Sequence, residues 1–499
     1  MDAEYSGNGS MSRRTFMGGA LATATRAAPV SALLCTPPAA RVDADDEYDD
    51  LFRDLDQKIL LGMRQFDVPG VAVGIIHRRK EYVRGYGVTD VSNPQPIDGN
   101  TVFRIASTSK TFTGTTAMCL ADSGQLLFDA QVRSYITDFR APQGAEEVTV
   151  RQLLNHSAGW LGYDYHDTGE DDGALARYVR DVHRLPQLTP VGQTFSYNNT
   201  ALSVAGRVIE TISGTTFESS VRRLVLDPLG MTRSGYTIEE SWKQNMAVPH
   251  SIGNGKAVPD TTLFFLPRSC RPFGGLFSSV TDQLAYARFH LGDGRAVDGR
   301  RVMSKTSLRA MRSHPGPGGT LLVELDGMGV SWMLRPTAEG VTVVQHGGDL
   351  PGFHSGFLMV PEREFAITML TNSDSGPQLI AQLFYNDWAL SRFADVRNLP
   401  AVPRTLNGAG LAPYEGQYIA QQIPFSGPAD PIPVRLTGSN GRLEMIEGTG
   451  TNSTTRILTF YKDDYVLVDN IGLRANFLRD LNGSVSWFRL GGRLFRHLG

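Results

Sequence analysis

Ser107 and Lys110 stand three residues apart in Phe103-Arg104-Ile105-Ala106-Ser107-Thr108-Ser109-Lys110, just before apolar residues at helical spacing (Ala117, Met118, Leu120, Ala121). If Ser107 opens a helix, positions i and i+3 share one face, and the lysine amine sits beside the serine hydroxyl. The helix N-terminus adds partial positive charge, which favours the anion that develops at an attacking serine. A buried lysine tends to lose its proton, so Lys110 can take the hydroxyl proton at neutral pH. On spacing alone the pair reads either as nucleophile and base or as a serine and a lysine on an ordinary helix. Lys110 is the only lysine with a serine three places before it.

Two further stretches carry chemistry. Tyr197 and Asn199 lie in Phe195-Ser196-Tyr197-Asn198-Asn199-Thr200, at the entry to an apolar helix (Leu202, Ala205, Val208, Ile209). Polar side chains there either cap the helix or project into a cleft. His346 follows an alternating strand and enters the glycine-rich run Gly347-Gly348-Asp349 to Gly352, where backbone and imidazole can lie against a substrate.

The elements that must position these groups are legible as patterns. Leu51, Leu55, Ile59, Leu60 and Met63 form a helical stripe, and Val71–Ile76 and Glu81–Tyr86 read as paired strands. Phe357–Val360 and Phe365–Leu370 read as a closing hairpin, followed by a helix through Ile380, Leu383 and Trp388. The fold class expected is α/β (α+β), an antiparallel sheet flanked by helices. Residues 395–410 are rich in Pro, Asn and Gly and read as a linker. Beyond them the pattern is purely β, with hairpin turns at Asn440-Gly441 and Asn482-Gly483, which suits a small sandwich or barrel over 411–499. The domains expected are a tail or signal over 1–44, a sheet-containing domain over 45–394, and the β-domain over 411–499.

The 499 residues carry a net charge of -3, which gives no electrostatic reason to expect nucleic acid as a partner. No apolar run reaches the length of a membrane-spanning helix. Three cysteines (Cys35, Cys119, Cys270) do not make a disulfide framework. The acidic stretch Tyr163–Gly173 has no ligand pair at a recognisable metal spacing and reads as a solvated loop. No cofactor or metal is called for. The Ser12-Arg13-Arg14-Thr15-Phe16-Met17 run before a mildly apolar stretch resembles a twin-arginine export signal, with a plain tail as the alternative.

In chain order, Ser107-x-x-Lys110, Tyr197-x-Asn199 and His346-x-Gly348 together resemble the penicillin-recognising serine enzymes: class C β-lactamases, DD-peptidases, D-aminopeptidases and related esterases. Leu153–Gly159 and Gly274-Gly275-Leu276 agree, and the resemblance covers about residues 47 to 393. The tail from Tyr414-Glu415-Gly416-Gln417-Tyr418 is similar to the lipocalin-like β-barrel that some members append. The resemblance implies that Ser107 is the nucleophile of an acyl-enzyme and that Lys110 assists its deprotonation. It implies that Tyr197 relays the proton to the leaving group, which needs nearby positive charge to lower the phenol's pKa. Asn199 would bond the substrate amide or Lys110. The N–H groups of Ser107 and Asp349 would form the oxyanion hole, with Gly347 and Gly348 beside it. Many relatives carry K-T-G where His346-x-Gly348 stands; a histidine near its free pKa is a weaker permanent anchor for a substrate carboxylate, which favours peptides, esters or thioesters over efficient β-lactam hydrolysis.

The leading expectation is therefore a serine hydrolase acting on D-amino-acid-containing peptides or small esters. A second is a penicillin-binding-protein-type thioesterase that releases and cyclises a nonribosomal peptide; a third is a non-catalytic binder of β-lactams or peptides. Export fits the first and a cytoplasmic place the second. The partner expected is a small-molecule or peptide substrate, and nothing in the sequence fixes an oligomeric state.

Overall fold

The computed structural model describes residues 46–242, 245–313, 315–448, 453–469 and 473–499. Arg13, Arg14 and Cys35 lie outside the described residues, and with them the export signal.

One sheet of seven antiparallel strands organises the larger body. Its order is Lys80–Gly87, Gly70–His77, Phe365–Thr371, Phe353–Val360, Thr342–Leu350, Met333–Pro336, Gly327–Met328. Strands Gly70–His77, Phe353–Val360 and Phe365–Thr371 are buried along their whole length, which is why they read as unbroken apolar runs rather than alternating ones. Val71, Val73 and Ile75 face a layer made by helices Asp46–Phe66 and Gly376–Phe384. Ala72 and Ile76 face the opposite and larger core, which holds helices Ser109–Asp122, Asn199–Ser213 and Val280–Leu291.

The helix expected through Trp388 is shorter than its apolar pattern. It ends at Phe384, where the buried Arg335 guanidinium donates to the Phe384 carbonyl at 2.9 Å. The chain then turns at Asp387, whose φ is +43°, and a separate π-helical turn covers Leu390–Ala394. A cation on the last carbonyls satisfies orphan acceptors and stops the helix early.

The C-terminal strands close into an eight-stranded barrel, Gly416–Gln422 pairing at its far end with Arg493–His497. Two of its strands, Leu473–Arg479 and Arg493–His497, were not among the strands the sequence pattern picked out. Their apolar alternation is broken by arginine, yet Arg474 and Arg493 are buried, because there the barrel packs on the larger body rather than on water.

Among the described residues, three seams between barrel and body stand out. In the first, Glu324 on the strand Val323–Leu325 accepts from Tyr461 Oη at 2.9 Å and from Arg474 Nη1 at 2.6 Å, and also pairs with Lys462. In the second, the segment after the first barrel strand runs beside Tyr163–Asp167: Ile423 N–H donates to the Tyr163 carbonyl (2.8 Å), and Tyr165 N–H to the Ile423 carbonyl (2.9 Å). The third is a backbone bond from Tyr197 N–H to the Gly492 carbonyl, 2.9 Å.

Removing Glu324 leaves the buried Arg474 guanidinium without its carboxylate, a loss of about 3 kcal/mol for a broken buried pair. Glu324→Ala is expected to lower the unfolding temperature and to speed trypsin cleavage within residues 395–410. Unchanged melting and cleavage would show that the barrel is held by its other contacts with the body.

Candidate active site

The Ser107 turn is a strained piece of backbone held by its neighbours. Ser107 sits in a single 3₁₀ turn, Ala106–Thr108, that runs directly into the helix Ser109–Asp122. Ala106 has φ +47°, uncommon for a residue with a side chain. Ser355 braces both sides of the turn: its Oγ donates to the Ile105 carbonyl at 2.7 Å and lies 2.8 Å from Thr108 Oγ1. From the other direction Ile105 N–H donates to the Leu276 carbonyl (2.9 Å), and Leu276 N–H to Ser109 Oγ (3.0 Å). Gly348 lets the turn come this close, since a Cβ there would stand 2.9 Å from Ala106 Cβ. The glycine of the His346-x-Gly348 triplet is thus explained by packing.

Lys110 is fully buried. Its Nζ lies 2.9 Å from Ser107 Oγ and donates to the Phe273 carbonyl at 2.9 Å. The rings of Tyr197 and Phe273 are 4.8 and 5.2 Å from it. Burial pushes the amine well below the usual lysine range. A neutral amine that donates to Phe273 keeps its lone pair for the Ser107 hydroxyl.

Tyr197, Asn198 and Asn199 are placed by three consecutive N–H bonds: to Gly492 C=O (2.9 Å), to His156 Nδ1 (2.8 Å) and to Gly162 C=O (2.9 Å). Asn198 is the helix cap, its Oδ1 accepting from Ala201 N–H at 2.8 Å, which frees Tyr197 to point into the site. The Tyr197 ring stacks on His156 with 4.5 Å between centroids, and its hydroxyl hydrogen-bonds Ser107. Burial drives its phenol well above the ordinary range. The expectation of a lowered phenol pKa is therefore corrected, because with Lys110 itself desolvated no cation offsets burial.

His346 lies inside the strand Thr342–Leu350, not after it, and its ring centroid is 6.2 Å from that of Tyr197. Its Nδ1 is 2.7 Å from the Gly347 carbonyl. A carbonyl only accepts, so Nδ1 carries the hydrogen and Nε2 is left as a bare acceptor, buried and without a partner among the described residues. Burial holds this imidazole down to about 3. Asn199 is a second such group: Nδ2 donates to Tyr165 Oη at 3.0 Å, and Oδ1 is buried without a partner among the described residues. It bonds Tyr165, where Lys110 was one of the partners expected.

Asp349 follows from strand geometry. Leu350 and Phe353 flank a two-residue turn and make the hydrogen-bonded pair, so the next pair, Asp349 with His354, is the non-bonded kind. Asp349 N–H therefore points away from Phe353–Val360, towards the edge that the Ser107 turn fills. Gly347 has the same phase, and its carbonyl does point outward, to His346.

Ser107, Lys110, Tyr197, Asn199, His346, Gly347, Gly348 and Asp349 are thus brought to one place. Ser355, His156, Tyr163 and Gly492 also belong to it and were not selected. Ser355 and Gly492 sit in no pattern that sequence reading can use. His156 lay within the quoted Leu153–Gly159 stretch, and its φ of +58° could not be read there. Beside Tyr163 a cavity of about 740 Å³ opens between body and barrel, lined among others by Gln187, Ser196, Trp487 and Arg493. Arg493 lies over the Tyr163 ring at 3.7 Å. The acidic loop is drawn into ion pairs, Asp171 with Arg177 and Asp172 with Arg268. Among the described residues no three His, Cys, Asp or Glu side chains are grouped to hold a metal.

The Beta-lactamase family model matches residues 49–390. Penicillin-binding protein 4 of Amycolatopsis lactamdurans is 30% identical over 353 residues, covering 69% of this chain and 92% of that protein. Unguisins hydrolase ungD of Aspergillus violaceofuscus is 24% identical over 355 residues, covering 66% of this chain and 62% of that protein's length. Among solved structures SurE has the same fold, with a TM-score of 0.69 at 23% identity over 90% of this chain and 100% of SurE. That span takes in both the sheet body and the barrel.

The neutral imidazole has a consequence for stability. Below pH 6.5 the unfolded chain binds a proton at His346 that the folded protein excludes down to about pH 3. Acidification therefore favours unfolding, by about 1.4 kcal/mol per pH unit from this one group. Urea unfolding between pH 7.5 and 5 is expected to lose stability as pH falls, and His346→Gln to flatten that slope. Equal slopes for the two proteins would mean that His346 is protonated in the fold.

Proposed function

The chain belongs to the Beta-lactamase family of penicillin-recognising serine hydrolases, and within it we propose an acyl-enzyme hydrolase of D-amino-acid-containing peptides. One observation carries the choice of peptides. Two buried acceptors, His346 Nε2 and Asn199 Oδ1, stand bare in a site whose lysine and histidine are both neutral. Bare acceptors in a desolvated site select N–H donors, which a peptide backbone supplies and a simple ester does not. Relatives named as a penicillin-binding protein and as an unguisins hydrolase support the same reading, as does a structure of SurE with D-Leu.

In the proposed mechanism Lys110 takes the Ser107 proton as Oγ attacks the carbonyl carbon. The oxyanion is held by the N–H groups of Ser107 and Asp349, fixed before the reaction begins. Tyr197, a neutral phenol, donates its proton to the leaving nitrogen and regains one from the Lys110 ammonium. Its raised pKa suits a donor. Water then attacks the acyl-serine with the same groups in reverse, giving the acid and free Ser107.

A second reading is favoured by the barrel. Ile423 and Phe425 line the edge of Tyr163–Asp167, and Phe425 meets the Tyr165 ring at 6.3 Å, so the barrel walls one side of the site. A wall that restricts water favours an amine as acceptor, as in a thioesterase that cyclises its peptide.

A linear peptide thioester ending in a D residue, with a free N-terminal amine, separates the two by product mass. The expected product carries an added water, and Ser107→Ala gives none; a ring lacking that water would establish the cyclase instead. With the corresponding peptide amide, whose leaving group is a nitrogen, Tyr197→Phe is expected to slow acylation by about 10²–10⁴-fold with folding intact. Acylation at the wild-type rate would remove Tyr197 from the mechanism. As pH falls, kcat/KM is expected to drop as Lys110 takes a proton, with no separate inflection near 6.5 from His346.

A further inference from the structure

Of the three consecutive N–H groups that place Tyr197, Asn198 and Asn199, two are held by the sheet body and one by the barrel. Tyr197 N–H donates to the carbonyl of Gly492, in the turn between barrel strands Val485–Leu490 and Arg493–His497. The approach is as close as glycine permits. Gly492 has φ +76°, and a Cβ there would stand 2.8 Å from Tyr197 Cβ and 2.7 Å from Leu321 Cδ1. On the other side the Tyr197 ring lies against His156, nearly parallel at 20°. The residue is therefore caught between an imidazole and a turn of the barrel, while the barrel itself is tied to the body at Glu324 and at Ile423.

We propose that Gly492 is a positioning residue for Tyr197, and that through this contact the C-terminal barrel sets where the phenol sits over Ser107 and Lys110. The role rests on the place given to Tyr197 in the mechanism above. A proton relay among three groups tolerates little displacement, and a misplacement of about 1 Å can cost 10²-fold in rate. The barrel is then part of the catalytic apparatus, although it supplies no group that touches the reacting atoms.

The neighbouring Gly491 provides a matched control. It also has positive φ, +56°, but a Cβ there meets open space. Gly491→Ala and Gly492→Ala share the backbone strain of alanine at positive φ, and only the second presses on Tyr197. Acylation of full-length protein by the corresponding peptide with a scissile amide after the D residue, so that the leaving group is a nitrogen, followed by mass under single-turnover conditions, reads the difference. Gly492→Ala is expected to acylate at least about tenfold more slowly with KM little changed, and Gly491→Ala at the wild-type rate. Combined with Tyr197→Phe, Gly492→Ala should cost no further rate, because both act through one phenol. If Gly492→Ala does not fold, adding Leu321→Ala removes its other close contact and leaves only the pressure on Tyr197.

A Gly492→Ala protein that acylates normally, or is no slower than Gly491→Ala, overturns the positioning role; so does a full additional loss in the Tyr197→Phe background. Tyr197→Phe acylating at the wild-type rate would instead overturn the mechanism from which the role follows. A slow Tyr197→Phe beside a fast Gly492→Ala leaves that mechanism standing and removes only the barrel's part in it.

Discussion

Lys110 holds its amine where water cannot hydrate it, between Phe273, Tyr197 and the Ser107 turn, with no carboxylate among the described residues to pair with. An ammonium in that place is costly, so the folded protein keeps a neutral amine and, with it, a lone pair 2.9 Å from a hydroxyl. The rest of the site is consistent with this. His346 and His156 are likewise held neutral by burial, and Tyr197 keeps its proton. A charged group at any of these positions would shift the others, because low local polarity strengthens every interaction among them.

Such a site must be closed on all sides, and the chain does so with elements far apart in sequence. The Ser107 turn is fixed against the strand that carries Gly348 and against Ser355 on the next strand. The Tyr197 turn is fixed by His156 and, from the far end of the chain, by Gly492. The barrel meets the body through buried arginines with named partners, Arg474 on Glu324 and Arg489 on the Gly318 carbonyl, where apolar faces would have been the simpler contact. Directional bonds of this kind fix orientation as well as proximity, and a proton relay requires orientation.

Local signals read correctly where one physical cause dominates. Val71, Val73 and Ile75 are β-branched residues in a strand buried on both faces, and Asn440-Gly441 makes the turn its two residues favour. They failed where a distant group intervened. Arg335 ends a helix whose apolar pattern runs on to Trp388, and the arginines of two barrel strands hide a β pattern because they pack against another part of the chain.

The sequence by itself determined the chemistry available: a serine and a lysine at helical spacing, a tyrosine and an asparagine at a helix entry, and a histidine followed by glycines. Residue type and local spacing are properties of the chain, and they survive whatever surrounds them. Only the tertiary structure decided the protonation states, because those depend on the loss of water around Lys110, Tyr197 and His346, and burial is produced by the whole fold. For the same reason the contact of Gly492 with Tyr197, 295 residues apart in a chain of 499, has no local signature. It exists only because the barrel is docked.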